Sequence, residues 1–238
     1  MVKVIVSGAC GKMGRRIIQL AKGDSQIDLI AGLEHEGHPE VGKKIEGVKI
    51  VGDYAQIKSC DCLIDFSAPA ATMAHIPHLV KFKKSVVIGT TGLTQDQQRV
   101  IQEASKTIAV VFSPNMSIGV NLLFRLVKMA GEVLKNYKVY VEEAHHIHKK
   151  DAPSGTAKKI GQILNEEGFS IKNEDIKSIR EDEIVGDHRI VFESGMDKIE
   201  LFHSAKTRDI FAQGAVRACR WVAGKKAGLY SMGEVLFG

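Results

Sequence analysis

VKVIVSGACGKMGRRIIQLAK, residues 2–22, decides the fold. Its first six residues, Val2 to Ser7, are a short apolar run rich in β-branched side chains, the composition of a buried strand. A glycine cluster follows at once, Gly8-Ala9-Cys10-Gly11-Lys12-Met13-Gly14, and the remainder, MGRRIIQLAK, has helical spacing. The order is strand, tight turn, helix. Gly23 reads as a helix stop, and Ile27 to Leu33 (IDLIAGL) as a second buried strand, so the opening stretch is one βαβ unit.

Working outward, further strands are expected at Cys62 to Phe66, Ser85 to Gly89 and Ile108 to Phe112, separated by helical patterns near Pro69 to Lys81 and Thr94 to Ser105. Strands alternating with helices predict a mostly parallel sheet covered on both faces, an α/β doubly wound arrangement of Rossmann type. The rhythm changes after Pro114. A long, nearly all-round apolar helix (Ile118 to Leu134) leads into YKVYVEEAHH, which reads as an extended strand with no crossover helix close behind it. IKSIRED, HRIVFES and KIELFHSA then read as strands joined by short turns, the syntax of an α+β region. A domain change is expected near residue 116, the second sheet coming from residues 137–205. Asp209 to Ala223 is helical again, and the sequence leaves open which domain it packs on.

Composition narrows the classes. The chain has 238 residues, 44% hydrophobic and 26% charged, which is ordinary for a globular protein and excludes disorder and collagen-like repeats. No apolar stretch approaches the roughly 20 residues needed to cross a bilayer, and the run Val2 to Val6 meets Gly8 too early for a signal-peptide core. A cytoplasmic location without membrane attachment is expected. The net charge of +5 is spread along the chain and aromatic residues make up only 6%, so a small anionic ligand fits better than a nucleic acid. Cys10, Cys60, Cys62 and Cys219 form no CxxC pair and have no metal-type spacing; reduced, mostly buried thiols are expected.

Gly8 to Gly14 has the form GxxGxxG between a strand and a helix, a spacing variant of the dinucleotide fingerprint, in which glycines let backbone amides approach a pyrophosphate at the positive end of a helix. Glu34 lies 20 residues past Gly14, at the end of the second strand, where a carboxylate can accept from ribose hydroxyls. Dinucleotide binding at this glycine turn, with Glu34 on the ribose, is therefore expected. His35 beside Glu34 is a weak cation for a 2′-phosphate, so NADH is easier to accommodate than NADPH, and both stay open. Gly89-Thr90-Thr91-Gly92 ends a parallel strand, where ligands of open α/β sheets bind, and is expected on the nicotinamide side.

The most unusual stretch is Glu143-Ala144-His145-His146-Ile147-His148-Lys149-Lys150-Asp151-Ala152-Pro153-Ser154-Gly155-Thr156-Ala157, with three of the nine histidines inside four positions. Metal binding is disfavoured because adjacent strand residues point to opposite faces, so His145 and His146 cannot share an ion without a bulge; no metal is expected. Ser154-Gly155-Thr156 reads as a helix start whose amides, with the Lys149 ammonium, form a receptor for a carboxylate. His145 or His146 beside it can shuttle a proton near neutral pH. A nucleotide domain joined to a domain with an anion pocket and a proton donor describes a hydride-transfer enzyme acting on a small acid.

Here the sequence closely resembles the 4-hydroxy-tetrahydrodipicolinate reductase (dihydrodipicolinate reductase) family. Glu143 to Ala157 is similar to the family signature E-x-H-H-x-x-K-x-D-x-P-S-G-T-A at every defined position, and Gly8 to Gly14, Gly89 to Gly92, Pro114 to Asn121 and Phe211 to Arg217 resemble its other blocks in the same order. The resemblance implies reduction of a cyclic unsaturated imine dicarboxylate to tetrahydrodipicolinate with NADH or NADPH, in lysine and diaminopimelate biosynthesis. It implies His145 as the acid/base residue, Lys149 as proton donor, and His146, Ser154, Gly155 and Thr156 as substrate-binding residues. It implies cofactor contacts from Gly8, Ala9, Cys10, Gly11, Lys12, Met13, Glu34, His35, Gly89, Thr90, Thr91, Ser113, Pro114, Asn115 and Met116. It also implies that the C-terminal segment returns to the nucleotide domain, giving residues 1–116 with 213–238 and residues 117–212, the latter a substrate-binding and oligomerisation domain of a homotetramer. Two departures stand out: His35 where many members carry arginine, and Met116 where many carry an aromatic.

Two other readings fit less well. A semialdehyde dehydrogenase needs an activated thiol, and no cysteine sits in a setting that suggests one. A nucleotide-sensing module without turnover leaves the His145 to Lys149 group without a role.

Overall fold

The computed structural model describes residues 1–238, which divide into two compact units, Met1–Met116 with Phe211–Gly238, and Ser117–Ile210. The first unit is built on an eight-stranded sheet. In chain order its elements are β1 (Val2–Ser7), α1 (Lys12–Lys22), β2 (Ile27–Leu33), β3 (Lys44–Ile45), β4 (Val48–Val51), β5 (Cys62–Asp65), α2 (Pro69–Phe82), β6 (Ser85–Ile88), α3 (Gln95–Ala104) and β7 (Ala109–Phe112). The strand order is β12-β7-β6-β5-β1-β2-β4-β3, β12 being the late strand Gly228–Tyr230. Every pairing is parallel except β3 with β4.

Alternation along these strands explains why they read as unbroken apolar runs. Val4, Val6, Ile64, Val87 and Val111 enter one core, while Ile5, Leu63, Val86, Ile88 and Val110 enter the other. Side chains on a strand alternate faces, so a sheet covered on both sides demands hydrophobic residues at every position. Helix α1 closes the first core with Gly14, Ile17, Ile18 and Ala21, one face at helical spacing. Helix α6 (Asp209–Val222) adds Ala212, Ala215, Val216, Cys219 and Val222 to that core, which answers the packing question the sequence left open. The short pair β3–β4, strand β12 and helix α7 (Met232–Phe237) were not anticipated from the sequence; each has two to six residues, too few to show a period.

The second unit carries α4 (Ile118–Val133), β8 (Lys138–His145), α5 (Gly155–Glu166), β9 (Lys177–Arg180), β10 (Asp187–Glu193) and β11 (Lys198–Ser204). Its sheet runs β11-β10-β8-β9. β10 is antiparallel to both β8 and β11, but β9 is parallel to β8. No helix follows β8 closely, yet α5 is a crossover between the parallel strands β8 and β9, delayed by the nine-residue loop 146–154, which the expectation of an α+β region without crossover did not foresee. Leu123 and Val127 of α4 and Ala157, Ile160 and Leu164 of α5 bury against Val141, Ile190 and Phe192 of the sheet. The apolar surface of α4 is only half used, since Leu122, Leu126, Met129 and Val133 are exposed. No helix is long and apolar enough to cross a membrane.

Candidate active site

The glycine turn needs its glycines for steric reasons. Gly8 has φ +72°, and a Cβ there would meet the Phe66 carbonyl oxygen at 2.3 Å. A Cβ on Gly14 would lie 2.0 Å from the Gly8 carbonyl oxygen, so only glycine lets α1 start directly over the turn. Gly11 is the N-cap of α1 and no side chain caps that end, which leaves the helix start available to an anion. Glu34, just past β2, accepts from the Cys10 amide at 2.7 Å, tying the acidic position to the turn. Gly8, Cys10, Gly11 and Glu34 line a cleft of about 430 Å³ that also borders on His35 and His75, a volume in the range of small-molecule sites. A glycine cradle with an uncapped helix start and a carboxylate 20 residues on is the donor set a dinucleotide requires.

The remaining expected cofactor residues are spread around the carboxyl ends of the strands. Lys12 is exposed and Met13 half-buried at the start of α1, and Ala9 is buried. Thr90 is buried after β6 with Thr91 exposed beside it. Ser113 donates to the Asn115 carbonyl at 3.1 Å, and Pro114 is exposed. Met116 is only 3% exposed and packs in the first core, so its side chain is spent on packing.

Period two brings the chemistry of the second unit onto one face. Glu143 and His145 alternate on β8 with the outward residues, and the strand register sets His188 of β10 opposite Glu143 and His203 of β11 opposite His188. Glu143 is 1% exposed. Its Oε2 pairs with His145 Nδ1, while Oε1 accepts from Arg180 Nη2 at 2.7 Å and from the Ser154 amide at 3.3 Å. Burial works to raise the Glu143 pKa, yet the Arg180 guanidinium and His145 hold it below the usual carboxylate range. Burial lowers the pKa of His145 and outweighs the pull of Glu143 in the other direction. The imidazole is thus neutral near pH 7, ready to accept a proton.

Lys149 lies near this group and makes an ion pair with Asp151 at 2.8 Å, with its side chain 23% exposed. His146, just beyond the strand end, has Nε2 3.4 Å from Arg208 Nη2 and a buried Nδ1 without a partner. Ser154 caps α5, accepting from the Ala157 amide at 3.2 Å, with its Oγ 3.3 Å from His188 Nε2. Gly155 opens α5 with nothing within 4 Å of where a Cβ would stand, and Thr156 is half-buried beside it.

Sequence reading missed Arg180, which binds both Glu143 and the Asp151 carbonyl, and His188. Neither stands within the signature stretch, and their only sequence signal was membership of strand-like runs. It also missed that Cys10, Glu34 and His38 converge, with ligand atoms within 4.8 Å of one another, because Cys10 is remote in sequence from the other two. Burial and the neighbouring Glu34 push the Cys10 thiol up to about 11, and burial pushes Cys60 up to about 12. Neither is an activated nucleophile, which counts against the thiol-dependent alternative.

A parallel sheet that opens the carboxyl ends of its strands onto such a cleft, with a glycine turn and an acidic ribose position, defines the chain as a dinucleotide-binding protein of Rossmann type. Residues 2–116 match the family model described as dihydrodipicolinate reductase, N-terminus, and residues 119–236 the one described as dihydrodipicolinate reductase, C-terminus. A 4-hydroxy-tetrahydrodipicolinate reductase of Aquifex aeolicus is 40% identical over 261 aligned positions, covering 99% of this chain and 98% of the relative. One of Methanoregula boonei is 38% identical with the same coverage. Among solved structures, the dipicolinate-bound dihydrodipicolinate reductase from Paenisporosarcina sp. TG-14 superposes with a TM-score of 0.84 at 23% identity, covering 97% of each chain. The chain belongs to the dihydrodipicolinate reductase family. It is accordingly an NAD(P)H-dependent oxidoreductase of lysine and diaminopimelate biosynthesis.

Proposed function

We propose that the chain reduces the cyclic imine formed from 4-hydroxy-tetrahydrodipicolinate, by way of dihydrodipicolinate, to tetrahydrodipicolinate, with His145 and Lys149 as its catalytic residues. The observation that carries this reading is the buried Glu143–His145 pair standing beside Lys149 and the start of α5. The bound nicotinamide supplies the hydride. The chain's own residues supply the rest: a proton must enter the ring as the hydride does, and two carboxylates must be held meanwhile. Lys149 gives that proton and His145 acts as its acid/base partner. Gly155 and Thr156, on the helix start that Ser154 caps, and His146 hold the carboxylates.

The cofactor is held by Gly8 to Met13, Glu34, His35, Gly89 to Thr91 and Ser113 to Met116, with NADH accepted at least as well as NADPH. The enzyme works in the cytoplasm as a homotetramer. Support for the assembly comes from the outward face of the second sheet, where Tyr140 and Phe202 are more than half exposed, an apolar surface of the kind a second copy covers.

Lys149 and Lys150 make the decisive comparison, because they carry equal charge one position apart. With NADH saturating, Lys149→Ala is expected to lower kcat and raise KM together, since one ammonium serves both the transition state and substrate attraction. Lys150→Ala, an exposed position, is expected to change little. Equal losses in steady-state kinetics would mean that general positive potential suffices and would remove Lys149 as a positioned donor.

A further inference from the structure

Beneath the glycine cleft lies a buried polar network of which the reaction above uses only Thr90. Asp65, at the carboxyl end of β5, is fully buried, and its Oδ2 lies 3.0 Å from Nδ1 of His75 on α2, itself 1% exposed. His75 Nε2 is 3.4 Å from Ser7 Oγ at the end of β1. Serine, histidine and aspartate in this order resemble a hydrolytic triad, but Ser7 is only 2% exposed and no substrate carbonyl can reach its hydroxyl. The carboxylate is spent elsewhere. Its Oδ1 accepts from Ser67 Oγ at 2.5 Å, from the Ser67 amide at 3.1 Å and from Thr90 Oγ1 at 3.4 Å. Thr90 Oγ1 in turn accepts from Thr72 Oγ1 of α2 at 3.0 Å and from the Ser67 amide at 3.2 Å. Burial alone would raise the Asp65 pKa, yet the bonds from His75, Ser67 and Thr72 bring it below the usual value.

The network thus joins the segments that follow β1, β5 and β6 to helix α2. In a doubly wound sheet a dinucleotide lies across the point where strand order reverses. Here that point falls at β1, with β2 and Glu34 on one side and β5 and β6 on the other. Glu34 claims the adenosine side, so the segments after β5 and β6, which carry Ser67 and Thr90, face the nicotinamide side.

We propose that Asp65 and His75 are positioning residues for the nicotinamide half of the cofactor: the pair, almost fully buried at the cleft wall, acts on it by holding Ser67 and Thr90 in place. This rests on the dinucleotide reading of the cleft. A buried pair that only stabilises the fold makes a different demand, because its loss weakens every ligand of the unit alike.

Binding of NADH and of ADP-ribose, which lacks the nicotinamide, separates the two roles by calorimetry on the full-length protein, alongside the melting temperature. His75→Asn keeps a donor near Oδ2 and is expected to bind both ligands nearly as the parent does. His75→Leu removes the donor and is expected to weaken NADH about tenfold while leaving ADP-ribose affinity within about twofold. Should the leucine variant fail to fold, Thr72→Val tests the same link without uncovering a charge, and a several-fold loss confined to NADH is expected. Equal losses for both ligands, or none for NADH in a folded variant, would overturn the proposal. A parent protein that binds neither ligand would instead overturn the dinucleotide reading itself.

Discussion

Arg180 Nη2 donates to the Glu143 carboxylate at 2.7 Å and to the Asp151 carbonyl at 2.6 Å, so one guanidinium both neutralises a buried charge and pins the loop that carries Lys149. Removing one partner of a buried pair leaves the other desolvated and unpaired, which costs about 3–5 kcal/mol. Arg180→Met is therefore expected to lose stability on that scale in urea titration, and to lower kcat in whatever fraction folds. A loss below about 1 kcal/mol, the scale of an exposed pair, would show that the pair is effectively solvated. Glu34 supports a second expectation. Its carboxylate repels a 2′-phosphate, while Arg15 is bound to the Cys10 carbonyl at 3.0 Å and Arg16 to Gln19 at 2.6 Å. Titration with each cofactor is expected to give a Kd for NADH no larger than that for NADPH, and a strong preference for NADPH would point to Lys12 and Arg16 as phosphate contacts.

Helix α1 and strand β1 meet through glycine. Because a Cβ at position 14 would lie 2.0 Å from backbone, no side-chain rotation relieves the clash, and the helix start itself must move. Gly14→Ala is expected to cost about 1–3 kcal/mol, as overpacking does, and to weaken NADH and ADP-ribose together by displacing the turn. An alanine variant with parental stability and affinity would mean that α1 shifts freely. The long elements were legible because period and length agree: β1, α1, β2 and α2 lie within a residue or two of where spacing put them, and α5 starts where Ser154-Gly155-Thr156 marked a helix start. The pairing of β9 beside β8 was not legible, since a strand of four residues carries no mark of its partner or direction.

Across the whole molecule, the shifts of His188, Asp65 and Glu143 act in one direction on acidification. Burial presses the pKa of His188 down to about 3, while an unfolded histidine has about 6.5. Between those values the unfolded chain binds the extra proton, so stability falls as pH drops through that window, by up to about 1.4 kcal/mol for each pH unit. Asp65 and Glu143, both lowered by their partners, add a loss below about pH 4, where unfolded carboxylates take up protons. Denaturant unfolding at pH 7.5, 6 and 5 is expected to show stability falling at each step. His188→Asn is expected to flatten the decline between pH 6 and 5, and an unchanged slope would exclude His188 as its source.

What the sequence by itself determined is whatever depends on local order: the strand, glycine turn and helix of residues 2–22, the succession of parallel strands to Phe112, and the stretch from Glu143 to Ala157 in which the proposed proton donor and anion receptor are neighbours. Periodicity and glycine placement are properties of consecutive residues, and burial on both faces of a parallel sheet writes itself into every strand position. The tertiary structure decided what depends on residues remote in sequence. It put Arg180 on Glu143, His75 on Asp65 and the last helices on the first unit's core. A buried carboxylate must find its counter-charge wherever the fold brings one, and no spacing rule reveals from which strand it will come.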